Sequence, residues 1–553
     1  MFRKRKGLSA LITILLSVSL AACSTGKDLA EQGKSSDGKP EKDIPAGPFA
    51  KFPETITVKY GKPSSVDVKL PPGDSQENNE FVRFISDKLN IKYEHTWQTP
   101  DGDPYKQKID LVIASGDVPD VMFVNETQLK LLVNSDLVAD LTSAYDKNIS
   151  PELRKVFDST KELSLSQATF NGKLMAIPNS QPGADAMNVL YIRKDWLDKL
   201  GLPEPKTLSD IENVAKAFIE RDPGGNGKNN TLGLTGTQDI INIGSSIFGF
   251  DTIFSYYDAY PELWIKNKSG NVEYGSIQPE NKAALAKLRE MYAAGIIHKE
   301  FVAETTSTGR EKVISGKVGM FFGPFWMGSF MLMDSVKQNP QAEWIPLAVP
   351  LDGKGNFKTH TMSPTSSFLV ISKKFKHPEA VIRTLNHEYI IDQSLGVDFY
   401  KGQNVPYKRV NLPFGHMMAP FDEKEIRVSG VDKVIAGKAD YNSLPSPEKL
   451  QYDRIKFEKE NPKKDLTAWS TTLSSATTRA MLQDNVIKTS GVFYGKTPTM
   501  GRKWVNLKKM EDEVFIKIIM GSKPLEAFDE FVTEWKKLGG DEITNEVRGM
   551  LKQ

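Results

Sequence analysis

TITVKY (residues 55–60) alternates apolar and polar residues, with Ile56, Val58 and Tyr60 on one face, the period-two pattern of a strand. Downstream, Phe81, Phe84, Ile85 and Leu89 recur at helical spacing, and Ile91, Tyr93, His95 and Trp97 alternate again. A helix is predicted over residues 105–115, then a short apolar strand, VMFV (121–124), bounded by Pro119 and Asp120. Strand, helix, strand, helix, strand is the rhythm of an α/β fold with a mainly parallel sheet. It continues with a strand over 189–192 and a helix over 195–200 stopped by Gly201 and Pro203. Thr207 opens a further helix, with Asp210 three residues on completing a capping box. Ile211, Val214, Ala215 and Phe218 form its apolar face. Helices are also predicted over 281–294 and 378–386, and strands over 318–322 and 367–371. Residues 414–465 read as irregular with helical patches, and 507–551 as helical with breaks at 521–524 and 539–540.

The N-terminus carries a different message. Arg3, Lys4, Arg5 and Lys6 precede an uncharged run from Leu8 to Ala22, and Leu20-Ala21-Ala22-Cys23 closes it. That is the pattern of an export signal, too short for a confident membrane span. Cys23 is the only cysteine of the 553 residues and stands where a lipobox places the lipidated residue. The reading is a chain anchored by acyl groups to the outer face of a bacterial cytoplasmic membrane. No disulfide is possible with one cysteine. Residues 24–52, rich in Gly, Ser, Lys, Asp and Pro, are expected to form a flexible tether. The remaining length, roughly 500 residues, suits two large lobes rather than one core. With 72 basic and 70 acidic residues there is no basic field to attract nucleic acid.

Several phrases stand in a family order: ASGDVPD (114–120), NGKLMAIP (171–178), YIRKDWLD (191–198), PKT (205–207), SGKVGM (315–320), KHPEA (376–380) and IMG (519–521). They resemble the family 1 extracellular solute-binding proteins, carbohydrate receptors of bacterial ABC importers related to maltose-binding protein, and most closely their long lipoprotein branch. The resemblance implies a two-lobe, periplasmic-binding-protein-like α/β fold with hinge crossings and a ligand cleft between the lobes. The expected organisation is a first lobe over 53–180, a second over 181–361, a return to the first over 362–405, and 406–553 completing the second with C-terminal helices. Chain crossings are expected after Pro178 and over 361–367. The partners implied are an oligosaccharide and ABC-importer permease subunits; contact with the membrane would be through the lipid anchor alone, and the protein a monomer.

One loop has the spacing of a calcium site. Asp222, Asn226 and Asn230 fall at positions 1, 5 and 9 of an EF-hand-like run, Gly227 at the turn, and the Lys228 carbonyl at position 7. Gly224 and Gly233 stand where further ligands belong, so a weak structural Ca²⁺ site and a metal-free turn both remain open.

Sugars are bound by rings stacked on pyranose faces and polar groups on hydroxyls. The Gly-Pro-aromatic turn of residues 323–326 resembles a stacking turn of maltose-binding protein, which points to Phe325 and Trp326. Trp504 after Pro498-Thr-Met500 matches a second such position in the same way. Trp264 and Tyr257 lie in the aromatic segment 254–264. Polar contacts are expected from Asn125, Glu126 and Thr127 after a strand, and from Asp185, Asn188 and Arg193 after the first crossing. Packing is the competing role for Trp504, Trp264 and Tyr257, and an ion pair for Arg193. No HExxH or GxSxG motif offers catalytic residues. A non-enzymatic receptor is expected; a surface-anchored polysaccharide-degrading enzyme and an adhesion lipoprotein are the alternatives.

Overall fold

The computed structural model describes residues 45–551 except 65–69, 101, 242, 244–246, 268, 395, 397–398 and 401–406. These residues fall in one structural unit, Ile44–Gln553. Cys23, the export signal and residues 24–44 of the tether lie outside the described residues.

The two larger sheets are built from β1 (Ile56–Ser64), β2 (Ile91–Pro100), β3 (Val121–Val124), β4 (Ile177–Pro178), β5 (Val189–Arg193), β6 (Leu232–Leu234), β7 (Val318–Gly323), β8 (Trp344–Leu347) and β9 (Phe368–Ile371). The first has the order β2-β1-β3-β9-β4, the second β8-β5-β7-β6. Strands β2 and β3 run parallel to β1, whereas β9 is antiparallel to β3 and β4. This is the α/β architecture expected from the alternation.

Local chemistry explains the elements. The Asn79 side chain caps the helix Glu80–Leu89, whose Phe81, Val82, Ile85 and Leu89 are buried. Asn90 ends it with a left-handed turn at φ 59° and feeds β2, which pairs Ile91 with Ile56 of β1. The Thr207 capping box forms, with Asp210 accepting from the Thr207 amide at 2.9 Å. Each fully buried Leu, Ile, Val or Phe contributes roughly 1.5–3 kcal/mol, and the apolar faces gather into one core around the first sheet and two contiguous cores around the second.

Three chain passages join the lobes. Asn179, Ser180 and Gln181 form the middle one: the Asn179 amide donates to Ser367 O and the Gln181 amide to Pro364 O. On the other side the Ser180 amide donates to Met417 O and accepts, through its carbonyl, from Ala419. A Cβ at Gly183 would lie 2.3 Å from the Phe421 ring, so glycine lets the passages touch.

The third passage changes the expected boundary after residue 405. Leu412, Phe414 and Met418 pack in the first core, so the return segment stays there until the crossing at 417–421. Other expectations also shift. The helical patches expected within 414–465 are the helices Glu423–Ile435 and Ser446–Glu460, whose exposed faces blur their periodicity. The predicted helix over 378–386 extends to Pro378–Ser394, and the C-terminal one begins early, at Pro498–Ile519. The tether stops short of residue 52: Arg383 donates to Pro45 O and Ala50 O, Asn386 to Pro48 O, and Phe52 is buried. No helix among the described residues is long and apolar enough to cross a membrane.

Candidate functional site

The carboxyl ends of parallel β1 and β3 deliver Lys62 and the stretch Phe123 to Asn125 to one edge of the first sheet. There they meet hinge residues Asn179 and Ser366 and the return segment 409–417 around a cavity of about 530 Å³. This is the edge at which open α/β sheets receive ligands.

The return segment is held from both sides. Buried Lys62 donates through Nζ to the carbonyls of Val410, Leu412 and Pro413 at 3.0–3.2 Å, and Asn79 to that of Asn411 at 2.9 Å. Buried Glu388 accepts from the amides of Phe414 and Gly415. Burial pushes the Glu388 carboxyl up and the Lys62 ammonium down, each partly offset by the other's charge. His416, fully enclosed, has its Nε2 3.2 Å from Ile177 O, and burial lowers its pKa to about 4.

The first crossing carries Asp185 and Asn188, and the turn after Val318–Gly323 brings Trp326 against it. Trp326 is half-buried and donates through Nε1 to Asp185 O at 3.2 Å. Burial raises the Asp185 carboxyl to about 6 despite the nearby Lys424, and its Oδ1 has no hydrogen-bond partner among the described residues. The same is true of both amide atoms of Asn188, which is 1% exposed. Buried unpaired polar groups are costly and uncommon. Phe325 faces a second cavity of about 330 Å³ among the helices Glu423–Ile435, Ser446–Glu460 and Leu466–Met481, with Lys424 Nζ 5.2 Å from its ring centre.

Other expected ligand groups are occupied structurally. Trp264 is 4% exposed and packs on Tyr274 and Phe493, so it is core. Trp504 sits on the helix Pro498–Ile519, not on a loop, with its ring 5.1 Å from that of Tyr274. Tyr257 packs edge-on against Tyr256 beside the second core. Arg193 makes a two-point pair with Asp195 and lies over Trp196 and Trp344, which removes it from the cleft. Asn125 lines the first cavity, yet its side chain caps the helix Glu126–Asn134 in a capping box with Gln128. Glu126 and Thr127 engage Lys496: the Lys496 amide donates to Glu126, and its Nζ to Thr127 Oγ1 at 2.9 Å.

Sequence reasoning missed Lys106, Arg409, Lys424, Arg427 and Arg454, all lining the two cavities. Of the second cavity's lining only the hydroxyls carried a local signal: they recur at 467, 470, 471, 474, 475 and 478, one face of the helix Leu466–Met481.

Two α/β lobes, a hinge of crossing strands and a cavity at strand ends define a hinge-type ligand-binding receptor. The chain belongs to the bacterial extracellular solute-binding protein family, whose model matches residues 78–386, more than half of the sequence. It is 24% identical to the polygalacturonan/rhamnogalacturonan-binding protein YtcQ of Bacillus subtilis (strain 168), with 100% of both chains covered. The fructooligosaccharide ABC transporter substrate-binding protein FusA of Streptococcus pneumoniae serotype 4 (strain ATCC BAA-334 / TIGR4) is 25% identical over 70% of this chain and 69% of its own. The fold is similar to that of alginate-binding protein AlgQ2, solved without calcium ion, at a TM-score of 0.59 and 18% identity, covering 91% of this chain and 99% of that one.

The Asp222 loop does not complete a calcium sphere. Asp222 accepts from the amides of Asn226 and Gly227 and from the Thr231 hydroxyl, and these bonds hold its carboxyl below the usual range. Asn226 donates to Gly316 O and Asn230 to Asn226 O; Lys228 is exposed. A Cβ at Gly224 would lie 2.6 Å from the Trp196 ring and one at Gly233 2.7 Å from Ala215 O, so neither position has room for another ligand. One carboxylate among neutral donors makes at most a weak site for a hard dication. A second acidic group, Glu262, Glu511 and Asp512, is instead bridged by Lys508 Nζ. Chelator-treated protein is therefore expected to show no melting shift up to about 1 mM calcium, while Asp222→Ala lowers stability by about 1–2 kcal/mol through the lost turn bonds. A calcium-dependent rise in melting temperature would overturn this assignment.

Proposed function

We propose that this chain captures an oligosaccharide outside the cell and delivers it to the permease of an ABC importer, held near it by lipid at Cys23. The observation that carries the reading is the cavity at the strand ends beside the three-passage hinge; at the first crossing, half-buried Trp326 bonds Asp185 O, and Asp185 Oδ1 and the Asn188 amide have no partner among the described residues. A ring with polar groups around it suits a pyranose: one face stacks and the hydroxyls find partners. The named ligands of YtcQ and FusA, both glycans, support the class.

Titration of tryptophan fluorescence with oligosaccharides is expected to give a saturable shift without consumption of sugar. Trp326→Ala is expected to weaken binding at least about tenfold; equal affinity would remove this ring from the site. Product release with turnover would replace the receptor by a surface-anchored polysaccharide-degrading enzyme, and binding of no glycan would favour adhesion.

A further inference from the structure

The chain as a whole is almost neutral, with 72 basic against 70 acidic residues. Its two cleft-side cavities are not. Among the described residues, the first is lined by Lys62, Lys106 and Arg409 and by no carboxylate, and the second by Lys424, Arg427 and Arg454 and again by no carboxylate. Two other surface cavities, of about 470 and 520 Å³, are mixed in sign, with Glu273 and Asp541 in one and Asp432 in the other. The first two cavities differ from these in having no carboxylate on their described lining.

The cations differ in what already holds them. Lys62 is spent on backbone carbonyls. Arg409 pairs with Asp392 through Nη2 at 2.8 Å, but its Nε is buried without a hydrogen-bond partner. Lys424 and Arg427 share Glu423, and the Nε of Arg427 is likewise unpaired. Asp392 and Glu423 line neither cavity, so they steady the cations without competing for a ligand. Exposed Lys106 and half-buried Arg454 make no ion pair among the described residues. Hydroxyls complete the second cavity. Those of Thr471 and Thr478 donate to carbonyls one helical turn back, which leaves their oxygens as acceptors for sugar hydroxyls, while Ser475 Oγ already accepts from Gln451 Nε2. At the hinge, Asp185 lies within electrostatic reach of Lys424 and Arg409 as well as of Glu423 and Glu425.

Deepening the receptor reading, on which it rests, we propose that the captured oligosaccharide is anionic. One acidic group is received at Lys106 and Arg409, and another at Lys424, Arg427 and Arg454 beside Phe325. Guanidinium and ammonium donors suit carboxylate and sulfate alike, and uronates or sulfated sugars would supply them.

Calorimetric titration of the full chain with a galacturonate oligomer, its methyl ester, a sulfated oligosaccharide and a neutral fructan separates the cases. The acidic oligomer, the sulfated one or both are expected to bind at least about tenfold more tightly than the ester and the fructan. Whichever binds identifies the bearer of charge. Added salt should weaken that binding alone. Lys106→Gln and Arg454→Gln are each expected to lower affinity for the anion about tenfold with unchanged melting. Ester or fructan bound as tightly as the acids, or variants without effect on acid binding, would overturn the anionic assignment while leaving the receptor intact. Binding of no glycan would overturn both.

Discussion

Lys62→Met is expected to destabilise the protein by about 3–5 kcal/mol, the cost of breaking a buried charged arrangement from one side. Lys62 is 2% exposed, and its three bonds end on carbonyls of a segment about 350 positions away in sequence. Methionine matches the length of the side chain but leaves Val410 O, Leu412 O and Pro413 O without their donor and the buried Glu388 without its nearby positive charge. The return segment would then hold to the first lobe mainly through Glu388 and Asn79. Since that segment walls the larger cavity, ligand affinity should fall together with the denaturation midpoint. A loss below about 1 kcal/mol would show that the segment is held by packing instead.

Acid should expose a second weak point. His416 is neutral in the fold with a pKa lowered to about 4, against an ordinary value of 6.5, because burial opposes its charge. Between these values the unfolded chain binds a proton that the folded chain refuses. The stability from this group is therefore complete above pH 6.5 and is lost as pH falls towards 4. At pH 4.5 the loss is about 2–3 kcal/mol relative to pH 7. Glu388 acts in the opposite sense: its carboxyl, raised to about 7, favours the fold at lower pH over the same range. Wild type must therefore be compared with His416→Gln, in which Glu388, His95 and His387 still titrate. The variant is expected to show a shallower acid decline in denaturant midpoint, and parallel declines would refute the role of His416.

The alternation of residues 55–60 and the capping box at Thr207 were readable because they depend on neighbours in sequence. The face carrying Ile56, Val58 and Tyr60 continues to Lys62, so even the buried lysine lay in register with the core. What hid its role was its partner, a backbone segment with no side-chain signature. The same limit applied to the site. The Trp326 turn could be singled out because a ring on a Gly-Pro turn is a local pattern, and the structure places it beside Asp185. Trp264 and Arg193 carried equally suggestive side chains, but burial, which depends on Tyr274, Trp196 and Trp344, decided otherwise. The cationic lining was invisible because Lys106, Arg409, Lys424 and Arg454 come from four separate segments and vanish in a neutral total.

The three passages between the lobes lie side by side, with Asn179 to Gln181 bonded on one flank to Pro364 and Ser367 and on the other to Met417 and Ala419. Such a strip is supple across its thickness and rigid within its own plane, much as a tape folds readily but will not shear edgewise. One rotational degree of freedom is thus retained and torsion between the lobes is suppressed. Each closure should then bring the lobes back to the same relative position, so that selectivity resides in the side chains of the cleft and not in a choice among closed geometries.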